Sequence, residues 1–123
     1  MTKDSTVYLC HIRDCLEKIR RFTKDGKSGF LQDEMVQDAV IRNLEVIGQA
    51  VKDFGTEQLS SGYPAIPWAQ IAGTRNILAH QYLGVDIDLI WNIVEQELPL
   101  LESAITALLH ESEQKTEPDV SRQ

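Results

Sequence analysis

Between positions 6 and 22 the apolar residues Leu9, Ile12, Leu16, Ile19 and Phe22 recur every three or four places. That is the 3.6-residue period of a helix with one buried stripe, and Asp4 and Ser5 stand ahead of it as candidate caps. The polar, glycine-punctuated stretch from Asp25 to Gly29 reads as a loop. A second periodic segment runs from about position 32 to 54, with Val36, Val40, Leu44, Ile47, Val51 and Phe54 on one stripe. Ala39, Val46 and Ala50 widen that stripe, and Gly55 is placed to end the helix.

From 56 to 66 the chain reads TEQLSSGYPAI, a connector without a period. Pro67 suits the first turn of a third helix, where a missing N–H costs nothing, and that helix is expected to run to Gly84. Asp86 is the expected cap of a fourth, with Leu89, Ile90, Ile93, Val94 and Leu98 buried. Pro99 falls inside this pattern and should kink or split it, because proline removes a backbone bond and crowds the preceding turn. Apolar positions resume at Leu101, Ile105, Leu108 and Leu109. The expected architecture is an all-α, up-and-down bundle of four to five helices occupying residues 1–110, with 111–123 a flexible tail.

Composition narrows the function classes. The chain has 123 residues, 42% hydrophobic and 25% charged, which fits one globular domain. No uncharged apolar run approaches the roughly 20 residues of a bilayer span, and charges occupy the place of a signal peptide's apolar stretch. A cytoplasmic protein is therefore expected. The net charge of −7 argues against coating nucleic acid through bulk positive charge. The distribution is uneven, however: residues 1–27 hold seven basic residues against four acids, and the remainder five against fifteen. A basic first helix is usually a solvated face, and it can also guide a phosphate chain.

Cys10 and Cys15 are five apart, so on a helix they diverge by roughly 140° and cannot bridge. His11 and Cys15 are four apart, half of a metal-site pattern, but no second pair completes it, so no metal is expected.

One segment concentrates chemistry. Arg75, Asn76, His80 and Tyr82 bring a fixed cation, an amide, an imidazole and a phenol into eight residues of a helix otherwise built of Ala, Ile, Leu and Gly. Asn76 and His80 share one helix face, and Arg75 and Tyr82 a neighbouring one about 100° away. Arg75 offers a planar fork of donors suited to phosphate, and His80 exchanges a proton near neutral pH. RNA transesterification needs a base for the 2′-hydroxyl, an acid for the leaving 5′-oxygen and positive charge at the phosphate. One histidine does not readily serve both proton transfers, so a symmetric dimer facing two such helices completes the set. The plainer reading of the same residues is a cap, a buried hydrogen bond and a packed ring.

The stretch IPWAQIAGTRNILAHQYLGVDIDLIW, Ile66 to Trp91, resembles the HepT-like branch of the HEPN superfamily. That branch has Arg, four residues, His, one residue, Tyr, with a polar residue directly after the Arg, which maps to Arg75, Asn76, His80 and Tyr82. The similarity extends to AVIRNLEVIGQAVK, Ala39 to Lys52, and to Leu98-Pro99. The resemblance implies a metal-independent endoribonuclease toxin without cofactor, a homodimer, with Arg75, His80 and Asn76 catalytic. It also implies a nucleotidyltransferase antitoxin that silences the toxin by attaching AMP to Tyr82. Where the resemblance leads one to expect Gly-Glu-Ala, this chain has Gly48, Gln49 and Ala50. The rival reading is a non-catalytic interaction module that binds the nucleotidyltransferase or a nucleotide.

Overall fold

The computed structural model describes residues 2–73 and 86–121. Its elements are α1 (Thr2–Phe22), α2 (Gly26–Gln32), α3 (Glu34–Phe54), α4 (Thr56–Gly62), α5 (helical over 68–73), α6 (Ile87–Asn92), a π-helical turn (Ile93–Glu97) and α7 (Leu98–Ser121). Among the described residues there is no strand, and the all-α expectation holds.

The core forms where the apolar stripes meet. Leu9, Ile12, Leu16 and Ile19 of α1 are buried against Val40, Leu44, Ile47 and Val51 of α3, and α7 adds Leu101, Ala104, Ile105 and Leu109. Burying each of the larger of these side chains contributes about 1.5–3 kcal/mol before chain entropy is counted. α1 and α7 run antiparallel. Thr6 near the start of α1 lies 3.2 Å, hydroxyl to hydroxyl, from Ser112 late in α7, and Arg20 near the end of α1 pairs with Glu102 early in α7.

Several local expectations need correction. Helix α1 begins at Thr2, so Asp4 and Ser5 lie inside it rather than ahead of it. Phe22 ends the stripe 38% exposed, because the chain leaves the bundle there. The stretch read as a loop is helix α2: Gly26 turns the chain with φ 76°, and the helix that follows buries Phe30 to 1% exposure. One apolar anchor in seven residues is too little for a period to register. The same holds for α4, which the sequence reads as an unpatterned connector and which buries Leu59 alone.

The boundaries at Gly55 and Asp86 agree with the sequence expectation. Gly55 ends α3 at φ 123°, its N–H reaching the Val51 carbonyl at 3.1 Å. Asp86 caps α6 by accepting from Leu89 N–H at 3.2 Å. At the start of α3 the cap is Asp33, its Oδ1 accepting from the N–H groups of Met35 (3.0 Å) and Val36 (3.3 Å). Pro67 stands just ahead of α5, not in its first turn, and its carbonyl takes the N–H of Ile71 at 3.0 Å. Leu89, expected in the core, is 45% exposed.

The disturbance expected at Pro99 is the π-helical turn immediately before it. Leu98 N–H bonds to the Ile93 carbonyl five residues back. The buried positions Ile93 and Leu98 are likewise five apart, one step more than a regular helix turn carries on one face. The wider turn keeps both in the core and gives room to a proline that cannot donate. Helix α7 then continues past His110, where the sequence suggests a tail, to Ser121. No described helix is long and apolar enough to cross a membrane.

Candidate functional site

The segment with the most chemistry, Arg75, Asn76, His80 and Tyr82, lies outside the described residues. The elements on either side of it are firmly anchored. Ahead of it, Trp68 is 1% exposed, and its indole N–H donates to the Tyr63 carbonyl at 2.9 Å. Beyond it, Asp86 caps α6 and Trp91 packs on Phe30 with ring centroids 5.4 Å apart.

The α5 side also meets the π turn. Gln70 Nε2 donates to Glu97 Oε2 at 3.3 Å, while Glu97 Oε1 is buried without a hydrogen-bond partner among the described residues. Burial raises the Glu97 pKa above the ordinary glutamate range, since the charged form is partly withdrawn from water. The Trp91 indole N–H is likewise buried and unpartnered among the described residues.

A second polar feature opens between α1 and α3, a groove of about 470 Å³. Its floor is Val46 and Ala50, and the small side chain at 50 leaves space beside the apolar seam. Tyr8 and His11 of α1 form one wall, and Arg42, Glu45, Gln49 and Asp53 of α3 the other. Gln49 Nε2 donates to Asp53 Oδ1 at 2.9 Å, one helical turn on. Position 49 carries an amide where the family resemblance suggests an acid, and that amide donates to a carboxylate of the same groove, Asp53. Arg42 Nη1 stands 3.9 Å from Glu45 Oε1, a loose pair with the arginine side chain 75% exposed. Periodicity alone does not find this groove, because it depends on which solvent-facing residues of two helices meet.

The remaining candidates separate. His11 is exposed and Cys15 buried, so the two stand one turn apart in different surroundings. Burial pushes the Cys15 thiol above its ordinary value. Among the described residues no group of three or more His, Cys, Asp or Glu is placed to hold a metal ion. On the basic α1, Arg20 is matched by Glu102 and Arg13 lies 4.0 Å from Asp14, so part of its charge is answered by acids.

Residues 12–108 match the family described as ribonuclease HepT-like, a range that includes all four motif positions. A protein of Methanocaldococcus jannaschii, described as a gamma-glutamylcyclotransferase with a provisional RNase assignment, is 39% identical over 112 residues. The match covers 90% of this chain and 50% of that protein, so the chain spans about half its length. A Thermococcus cleftensis protein with the provisional name ribonuclease HepT is 36% identical over 109 residues, 88% of this chain and 98% of that one. A Caldanaerobacter subterraneus protein, provisionally an RNase, is 36% identical over 103 residues, 83% and 91% of the two chains. No solved structure matches the chain. Fold and matches together define the class, an all-helical ribonuclease domain. Within it, the chain belongs to the HepT-like family of the HEPN superfamily.

Proposed function

We propose that this chain is a metal-independent endoribonuclease that acts as the toxin of a type VII-like toxin–antitoxin pair. The observation that carries the reading is the arginine, asparagine, histidine and tyrosine at 75, 76, 80 and 82, inside the span that matches the ribonuclease family. His80 takes the proton of an RNA 2′-hydroxyl as its oxygen attacks the adjacent phosphorus. The bond to the 5′-oxygen breaks, and that oxygen leaves with a proton from the second histidine of a homodimer. Arg75 holds the phosphate's developing charge, and Asn76 orients the reacting groups. The products are a 2′,3′-cyclic phosphate and a 5′-hydroxyl.

Tyr82 is the proposed point of control. A nucleotidyltransferase antitoxin attaches AMP to its hydroxyl, adding bulk and a negative phosphate two residues from His80, where RNA phosphate must sit. Gln49 in place of an acid favours the rival, a non-catalytic module that only binds the nucleotidyltransferase or a nucleotide. The Gln49–Asp53 pair weighs against it by returning a carboxylate to that helix face.

Cleavage of RNA by the purified chain in excess EDTA separates the readings: endonucleolytic products are expected, and intact RNA would leave the binding module standing. Coexpressed with its antitoxin, the chain should gain the mass of AMP, and Tyr82→Phe should lose that mass and resist neutralisation. AMP at another residue would overturn the assignment.

A further inference from the structure

The groove between α1 and α3 carries groups to which the proposed proton transfers and phosphate contact assign no role. Its floor is apolar, Val46 and Ala50, and the half-buried Tyr8 ring stands beside it. The wall opposite carries an amide and a carboxylate bonded to each other, Gln49 Nε2 donating to Asp53 Oδ1 at 2.9 Å. At the same wall, Arg42 is only loosely held by Glu45. A volume of about 470 Å³ lies within the usual range of small-ligand sites, roughly 300–1,000 Å³.

Charge decides between occupants. One fixed cation faces two carboxylates, Glu45 and Asp53, so an isolated phosphate gains nothing there. A neutral ring with donors on its edge gains on every side: an aromatic face to lie against, an apolar floor, and a carboxylate to accept its N–H groups. The bond from Gln49 engages one oxygen of the exposed Asp53 carboxylate and leaves Oδ2 and the second lone pair of Oδ1 open. The second N–H of the Gln49 amide remains available to a carbonyl. An acceptor pair next to an amide donor complements the guanine edge, which carries two N–H donors beside O6. Uracil has a single N–H between two carbonyls and leaves part of the carboxylate unmatched.

We propose that this groove is a base-binding subsite that takes a guanine of single-stranded RNA, with Tyr8 as its stacking surface and Asp53, oriented by Gln49, reading the base edge. The occupant as an RNA strand rests on the ribonuclease reading; the preference for guanine rests on the groove.

Fluorescent 2′-O-methyl hexanucleotides, which lack the attacking hydroxyl, allow binding to be measured without cleavage. One guanosine among uridines should bind on the order of tenfold tighter than six uridines. Asp53→Asn should erase most of that difference with little effect on the all-uridine strand, while Tyr8→Leu, which keeps the apolar volume, should weaken both. Equal affinity for the two strands, or a guanine preference that survives Asp53→Asn, would overturn the proposal. GMP bound at the Gln49 amide resonance with neither strand bound would overturn the strand as occupant and assign the groove to a free nucleotide. Cleavage of unmodified RNA is followed in parallel. Cutting without guanine preference rejects the groove alone, and preference without cutting upholds the groove and rejects the ribonuclease reading.

Discussion

The α1–α3 pair has two sides built on opposite terms. Along the seam, Ile12 and Ile19 meet Val40, Ile47 and Val51 with almost no exposure and no polar group among them. Beside it, Tyr8, His11, Arg42, Gln49 and Asp53 face an open groove over a floor of small and branched residues. The same helices therefore supply rigidity on one face and adaptable polar groups on the other. A polar residue on a helix that is already fixed by packing is free to be chosen for chemistry, because stability does not depend on it.

If that division holds, changes on the polar side should alter rates, and changes in the seam should alter stability. Outside that pair of helices, the largest effect is expected from the residues that carry the proposed chemistry, in His80→Ala and Arg75→Ala. Each should lower RNA cleavage on the order of 10²-fold or more and leave the thermal unfolding midpoint where it was. A variant that is folded and fully active would remove its residue from the mechanism. Ile47→Ala is the converse case. The side chain is completely buried, so its truncation should cost about 2–5 kcal/mol in urea unfolding while the rate per folded molecule is unchanged. A loss well under about 1 kcal/mol would mean that the seam is looser than its burial implies.

Glu97 stands apart from that pair, a partly buried carboxyl in the π-helical turn, and it gives the smallest and most diagnostic effect. Burial raises its pKa in the fold, so the folded chain holds this proton more tightly than the unfolded one. The stabilisation linked to that proton is fully present below the ordinary value of 4.5 and is lost as pH rises through the raised one. Glu97→Gln mimics the protonated form. It should melt at a higher temperature than the parent chain near neutral pH, with the difference closing at about pH 4. Melting curves that stay parallel at both pH values would show that Glu97 is no more strained as an anion than a surface glutamate.

How far the sequence could be read follows from the number of anchors in each element. Helices α1 and α3 carry five or more apolar residues at helical spacing, and both are legible, as are the end of α3 at Gly55 and the cap at Asp86. Helices α2 and α4 hold one buried side chain each, Phe30 and Leu59. Their helicity comes from tertiary burial and leaves no period in the sequence. The π turn has a trace that is clear in retrospect, the five-residue step from Ile93 to Leu98 ahead of Pro99. The family resemblance is legible in the motif of Arg75, Asn76, His80 and Tyr82 together with the sequence around it, not in the spacing alone. The groove is not, since Tyr8 and Asp53 are 45 positions apart and only the packing of α1 on α3 brings them to one opening.

The ends of the RNA products test the central claim most directly. Mass spectrometry of a short RNA cut by the purified chain in EDTA should find a 2′,3′-cyclic phosphate on one fragment and a 5′-hydroxyl on the other, both absent with His80→Ala. Fragments ending in a 3′-hydroxyl and a 5′-phosphate would contradict attack by the 2′-hydroxyl, and with it the proposed roles of His80 in proton transfer and Arg75 in charge stabilisation.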